Sequence, residues 1–94
     1  MIEIKQIEDG TKGRFAAMDD SKEAGAIFYT SADEKKMILD HTEVDDAYRG
    51  QSIGKKILMW IVEFARENNI KIIPLCPYAK SVFDKTESIR DVLV

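Results

Sequence analysis

The chain is 94 residues long with a formal charge of −3 and a pI near 5.1. A single domain of this size buries only about 60–65% of its unfolded surface, so its core must be compact, and the acidic balance excludes a nucleic-acid partner that needs a broad basic face. The lone Cys76 excludes an intrachain disulfide and fits a reducing compartment. No apolar run approaches the ~18–20 residues of a membrane span, and Met1-Ile2-Glu3-Ile4-Lys5 has neither the apolar stretch nor the basic flank of a signal peptide. A cytoplasmic protein with no membrane or nucleic-acid partner, monomeric or weakly dimeric, is expected.

Ile2, Ile4 and Ile7 alternate with polar residues and predict a first strand, ended by the turn signal Asp9-Gly10. Residues 14–18 predict a second strand, the polar turn 19–22 a hairpin, and Ala24–Thr30 a third strand rich in aromatic and β-branched types. A hairpin over 31–35 leads into a fourth strand, Lys36–Val44. Four strands with short connections predict an antiparallel meander. The period then changes. Ile53, Ile57, Trp60, Ile61, Phe64 and Ala65 recur at helical spacing with charges opposite them, which predicts a helix from Gly50–Gln51 to Asn68-Asn69, with Trp60 in the core. Residues 70–75 (IKIIPL) predict a fifth strand buried on both faces. Pro74 lacks a ladder donor, so this strand is expected to splay from its neighbour there. Pro77 opens a short helix to Lys85 that turns Ala79, Val82 and Phe83 inward. The tail, residues 86–94, fits an extra strand or a helical turn. The fold class is α+β.

Tyr48-Arg49-Gly50-Gln51-Ser52-Ile53-Gly54-Lys55-Lys56 carries the strongest chemical signal. The first N–H groups of a helix have no internal partners and sit at the positive end of its dipole. Small residues before such an end let a phosphate approach the backbone.

The order of strand, R-G-x-x-x-G turn, long helix, strand and short helix resembles the GNAT superfamily of acetyl-CoA-dependent N-acetyltransferases. Its turn motif reads R/Q-x-x-G-x-G/A, and residues 49–54 match except for Ser52 in place of the middle glycine. His41-Thr42-Glu43-Val44, the 48–54 turn and Pro74-Leu75-Cys76-Pro77-Tyr78-Ala79 look like a subfamily of very small GNAT-like proteins with H-T-x-V, R-G-x-G-I-A/G and P-x-C-P-[FY] motifs. The resemblance covers residues 36–85 by motif; the first 35 match by strand pattern. It implies a minimal GNAT fold with the fifth strand splayed from the fourth and acetyl-CoA in the splay. The pyrophosphate is then expected on Arg49, Gly50, Gln51, Ser52, Ile53 and Gly54, with Lys55 close by. The pantetheine is expected along Glu43 and Val44, and the thioester near His41 and Cys76, with Ala79 and Phe83 among the cofactor-binding residues. No metal is implied. The chain is expected to lack the segments that build the acceptor pocket in larger members.

An amine acceptor must lose a proton before it attacks the thioester. His41 and Glu43 lie two apart on a strand and share a face; either is a general base, or the pair is a sheet histidine and an exposed glutamate. Cys76 precedes a helix start, a position that favours a thiolate; it lines the acetyl site, carries an acetyl group, or is a small buried hydrophobe. Where many GNATs place a tyrosine that protonates the departing thiol, this chain has Phe83. Tyr78 substitutes for it, or coenzyme A leaves as the thiolate. The expected activity is acetyl transfer to an amine on a small molecule or protein. The alternative is a coenzyme A or acyl-CoA binding module without catalysis.

Overall fold

The computed structural model describes residues 2–94. Five strands form one sheet in the order β1 (Ile2–Asp9), β2 (Lys12–Asp19), β3 (Lys22–Asp33), β4 (Lys36–Val44), β5 (Lys71–Pro74). The first four pair antiparallel through short hairpins, and β5 pairs parallel with β4. The parallel pairing requires a crossover. It is supplied by a 3-10 turn (Asp46–Tyr48) and helix α1 (Ile53–Asn68); a second helix α2 (Pro77–Lys85) follows β5. The mixed sheet with a splayed fifth strand is the GNAT arrangement expected from the sequence.

The hydrophobic core lies on one side of the sheet. Phe15, Ile27 and Leu39 face Ile57, Leu58, Ile61 and Val62 of α1, and all of these are buried. Phe83 of α2 completes this layer. The buried stripe of α1 is rotated from the expected one. Leu58 and Val62 are fully buried, whereas Trp60 is 38% exposed, stacked on Phe64 and tilted against Phe15. The cause is the tail, which the sequence left open. Residues Glu87–Val92 form a 3-10 helix that buries Ile89 and Val92 in the core beside α1. That covers a second flank of α1 and leaves Trp60 at the rim.

Two local features differ from the sequence reading. α1 starts at Ile53, two to three residues later than expected, because Ser52 takes a left-handed conformation (φ 57) that a helix cannot include. Its other end agrees: Asn69 is left-handed, and its N–H and that of Ile70 both reach the Ala65 carbonyl. β5 is shorter than expected and buried on one face only. Ile72 is enclosed and Leu75 is 64% exposed. It is an edge strand, and beyond it an isolated parallel bridge joins Ile72 to Leu93.

Arg66 pins the tail to α1. Its guanidinium donates twice to Asp91 (2.7 and 3.0 Å) and once to the Ser88 carbonyl (2.9 Å), while Glu63 accepts a further bond (2.7 Å). The bonds from Arg66 hold the Asp91 carboxyl below its ordinary range. A depressed carboxylate stabilises the fold above its unfolded pKa of about 3.9 and loses that contribution as pH falls through the lower folded value. Wild type is therefore expected to lose more denaturant stability between pH 7 and pH 3 than Asp91→Asn. Equal losses in the two chains would remove the pin from the acid response.

Candidate functional site

β4 parts from β5 half-way along its length. The ladder runs from Lys36–Lys71 to Leu39–Pro74 and stops. Pro74 has no N–H to continue it. The Leu75 N–H turns back to the Ile73 carbonyl (3.1 Å), and Cys76 gives the last link, its N–H to the Leu39 carbonyl (2.9 Å). Residues 40–44 continue alone on that side. At the same level β4 bulges against β3. Phe28 pairs with His41 and Tyr29 with Leu39, which leaves Asp40 without a ladder partner. Its carboxylate accepts from Thr30 Oγ1 instead (2.7 Å).

The bulge changes which side chains face which way, since one extra residue inverts the two-residue alternation of a strand. Leu39 is buried in the core; beyond the bulge Thr42 and Val44 take over that face. His41 and Glu43 point to the opposite, open face. His41 stacks flat on Phe28 (4.3 Å, 9°), with Nε2 3.8 Å from a Glu43 carboxylate oxygen, and both side chains are more than half exposed. The Asp45 N–H reaches the Ala24 carbonyl of β3 (2.8 Å). By alternation, the main chains of Thr42 and Val44 face the gap that β5 leaves.

A groove of about 250 Å³ fills that gap, floored by Thr42 and Val44 and closed by Ile53, Gly54 and Tyr78. Arg49, Gly50 and Ser52 form its mouth, with the Tyr48 ring beside them. The first turn of α1 opens into it. Lys56 makes the earliest intrahelical bond, to the Ser52 carbonyl (3.0 Å), so the N–H groups of Ile53, Gly54 and Lys55 precede the helical ladder. Ser52 makes no side-chain cap, and the turn holds no acidic residue. The electrostatic result is an uncapped positive helix end facing a groove.

Each small residue here has a local reason. Gly50 has φ +81, which favours glycine. A Cβ at Gly54 would lie 3.0 Å from the Tyr78 ring, so the missing side chain lets α2 close on the start of α1. Tyr48 is held by its hydroxyl, which donates to Asp19 (2.6 Å), and this bond raises the phenol above its ordinary value. The Tyr78 phenol is raised as well, first by burial and then by the neighbouring Cys76 sulfur.

The groove brings together Val44, Arg49, Gly50, Ser52, Ile53, Gly54 and Tyr78 of the expected site residues. Gln51 and Lys55 are exposed beside its mouth. The Arg49 guanidinium is 78% exposed and paired with Asp46 (2.9 Å). Ala79 and Phe83 are fully buried in the core behind the groove. Cys76 is 2% exposed, and its sulfur lies 3.1 Å from Thr42 Oγ1. His41 and Glu43 are on the other face of β4. Thr42 and Tyr48 also line the groove, and of the two only Thr42 lay outside the expected binding turn. Tyr48 carried a signal as the first residue of the turn motif; Thr42 depends on the bulge, which left no signal in the spacing.

A family model described as GCN5-related N-acetyl-transferase matches residues 14–92. The chain belongs to this family. Protein NATD1 of Danio rerio is 31% identical over 61 residues, which cover 65% of this chain and 56% of that protein, so the match spans little more than half of the curated relative. The solution structure of a GCN5-like protein from Staphylococcus aureus superposes with a TM-score of 0.73 at 41% identity, covering 98% of this chain and 87% of that one. A ribosomal-protein-alanine N-acetyltransferase from Brucella melitensis shares the fold at 17% identity (TM-score 0.67, covering 82% of this chain and 62% of that one). The GNAT family uses acetyl-CoA as co-substrate. The uncapped turn and the parted strands are chemically suited to it: anion donors at one end, an apolar slot with free backbone groups at the other. Among the described residues no cluster of metal-ligating side chains occurs, and no helix is long and apolar enough to cross a membrane.

Ser52 bears a cost that a glycine would not. A left-handed non-glycine residue is disfavoured by about 1–2 kcal/mol, whereas glycine loses about 0.5–1 kcal/mol of chain entropy. Ser52→Gly is therefore expected to stabilise the protein by roughly 0.5–1 kcal/mol, read from the denaturant midpoint, and Ser52→Val to destabilise it. An unchanged or lower midpoint for Ser52→Gly would show that the serine's conformation carries no strain.

Proposed function

We propose that this protein is an acetyl-CoA-dependent N-acetyltransferase of the very small GNAT subfamily, with the cofactor in the groove between β4 and β5. The observation that carries this reading is the uncapped first turn of α1 opening on the gap in the sheet. The pyrophosphate accepts from the N–H groups at residues 49–55, where Gly50 and Ser52 turn the backbone. Arg49 exchanges its exposed pair with Asp46 for a phosphate, and Lys55 adds charge nearby. The pantetheine lies along Thr42 and Val44 and pairs with their free main-chain groups as an added strand does. A groove of about 250 Å³ is smaller than the roughly 300–1,000 Å³ of a site that encloses a whole drug-sized ligand. The nucleotide end therefore stays on the surface.

A main-chain N–H of β4 facing the gap supplies the donor for the tetrahedral oxyanion. His41 or Glu43 takes the proton from the amine, directly or through a water. Because they occupy the open face of β4, the acceptor comes from that side and the cofactor from the other. With Cys76 2% exposed and turned to Thr42, direct attack by the amine is favoured over an acetyl-cysteine intermediate. A second reading, coenzyme A binding without turnover, draws on Phe83, which is buried and has no proton to give.

Titration with acetyl-CoA followed by amide NMR is expected to shift residues 42–55; silence there removes both readings. Release of free coenzyme A only when an amine from a broad amine and peptide panel is added supports transfer. Binding with no release across the panel leaves the binding module. Intact mass after incubation with labelled acetyl-CoA is expected to show no acetyl adduct. An adduct lost in Cys76→Ser would reverse the choice of direct attack.

A further inference from the structure

We propose that Thr42 is a catalytic residue whose hydroxyl meets the coenzyme sulfur and protonates it through a relay from the buried thiol of Cys76. The inference rests on the acetyl-CoA reading above. Three observations meet at this pair. Thr42 lines the groove at its β4 wall, at the level where β5 has ended. Cys76 does not line it: the thiol is 2% exposed and its sulfur lies 3.1 Å from Thr42 Oγ1. The other hydroxyl-bearing residues lining the groove are Tyr48, whose hydroxyl donates to Asp19, Ser52 at the mouth, and Tyr78. The Tyr78 oxygen would be 3.3 Å from a Cβ on Gly54, over the first turn of α1 and so at the anion end. Phe83, on the buried face of α2, has no proton to give. Thr42 therefore presents the hydroxyl suited to the thioester end, with the thiol as its partner inside the protein.

The step balances without an added reagent. When the tetrahedral intermediate collapses, the C–S bond breaks and its electron pair stays on the coenzyme sulfur. The Thr42 O–H bond breaks as an S–H bond forms on the coenzyme. In the same event the Cys76 S–H bond breaks and the Thr42 O–H bond re-forms. The transfers must be concerted, since a free threonine alkoxide is far too basic to accumulate. The net change is a proton passed from one thiol to another. The Cys76 thiolate regains a proton from water after coenzyme A leaves, and the proton of the amine leaves through the base on the open face. Cys76 acts through Thr42 and is a positioning residue; it forms no bond to acetyl.

The contact is tested by calorimetric titration with coenzyme A and with desulfo-coenzyme A, which lacks only the sulfur. Wild type is expected to bind coenzyme A about three- to tenfold more tightly than the desulfo compound, the range of one hydrogen bond. That ratio falls to about one in Thr42→Val and is kept in Thr42→Ser. A ratio unchanged in Thr42→Val, or lost equally in Thr42→Ser, overturns the contact while leaving the acetyl-CoA reading intact. Binding of neither compound to wild type overturns both. Thr42→Val replaces the hydroxyl by a methyl of similar shape, and Thr42→Ser keeps the assay decisive if the valine variant does not fold. The relay is read from kinetics with an amine active in the panel. Cys76→Ala is expected to lower kcat about tenfold or more with the KM for acetyl-CoA within about twofold. An unchanged kcat leaves the thiol a packing role and overturns the relay.

Discussion

The parting of β4 from β5 at Leu39 and Pro74, together with the bulge at Asp40 on the same level, is the constraint on which the site depends. An imide nitrogen cannot donate to a ladder, and the chain after Pro74 turns away within two residues. On the other side of β4 the extra residue at Asp40 inverts the side-chain alternation. Either device alone would give less. Without the break there is no gap; without the bulge, His41 rather than Thr42 would turn toward the groove and Cys76. With both, one strand offers a groove wall on one face and titratable side chains on the other.

The electrostatics of the groove are local. The whole chain is acidic, with Asp45 and Asp46 in the turn that leads to the site. Yet the Asp45 side chain is occupied as the cap of the 3-10 turn, and Asp46 by Arg49. What faces the groove is a helix end with free N–H groups, and the exposed Lys55 lies beside its mouth. Hydrogen bonds and dipoles act at a few ångströms, whereas exposed charges beyond about 10 Å are screened at ordinary ionic strength. A net charge of −3 therefore does not conflict with the phosphate site proposed at this helix end.

The small core is completed by its own tail. Ile89 and Val92 bury against α1, Leu93 bridges to Ile72 at the sheet edge, and Arg66 ties Asp91 and Ser88 to the helix. The groove lies at the other end of α1, away from these contacts. The rigid packing of the helix thus supports a helix end that is itself left without a side-chain cap.

Much of this was legible in the residues. β4 has the bounds Lys36–Val44 read from its alternation, α2 those read from Pro77 and its apolar spacing, and Asn69 ends α1 as expected. These features are local: backbone conformation, turn chemistry and periodicity act within a few residues. The turn at 48–54 and the break at Pro74 belong to the same class, so the place of the groove was visible too. What the tertiary structure alone decided is which side chains meet there. The bulge at Asp40 depends on how β4 registers against β3, the exposure of Trp60 on where the tail packs, and the pairing of Thr42 with Cys76 on residues thirty-four positions apart. The sequence determined the elements and the small-residue turn before α1, because those follow from near neighbours. The faces of β4, and with them the roles open to His41, Thr42, Glu43 and Cys76, were settled by strand registration and packing, which no local pattern encodes.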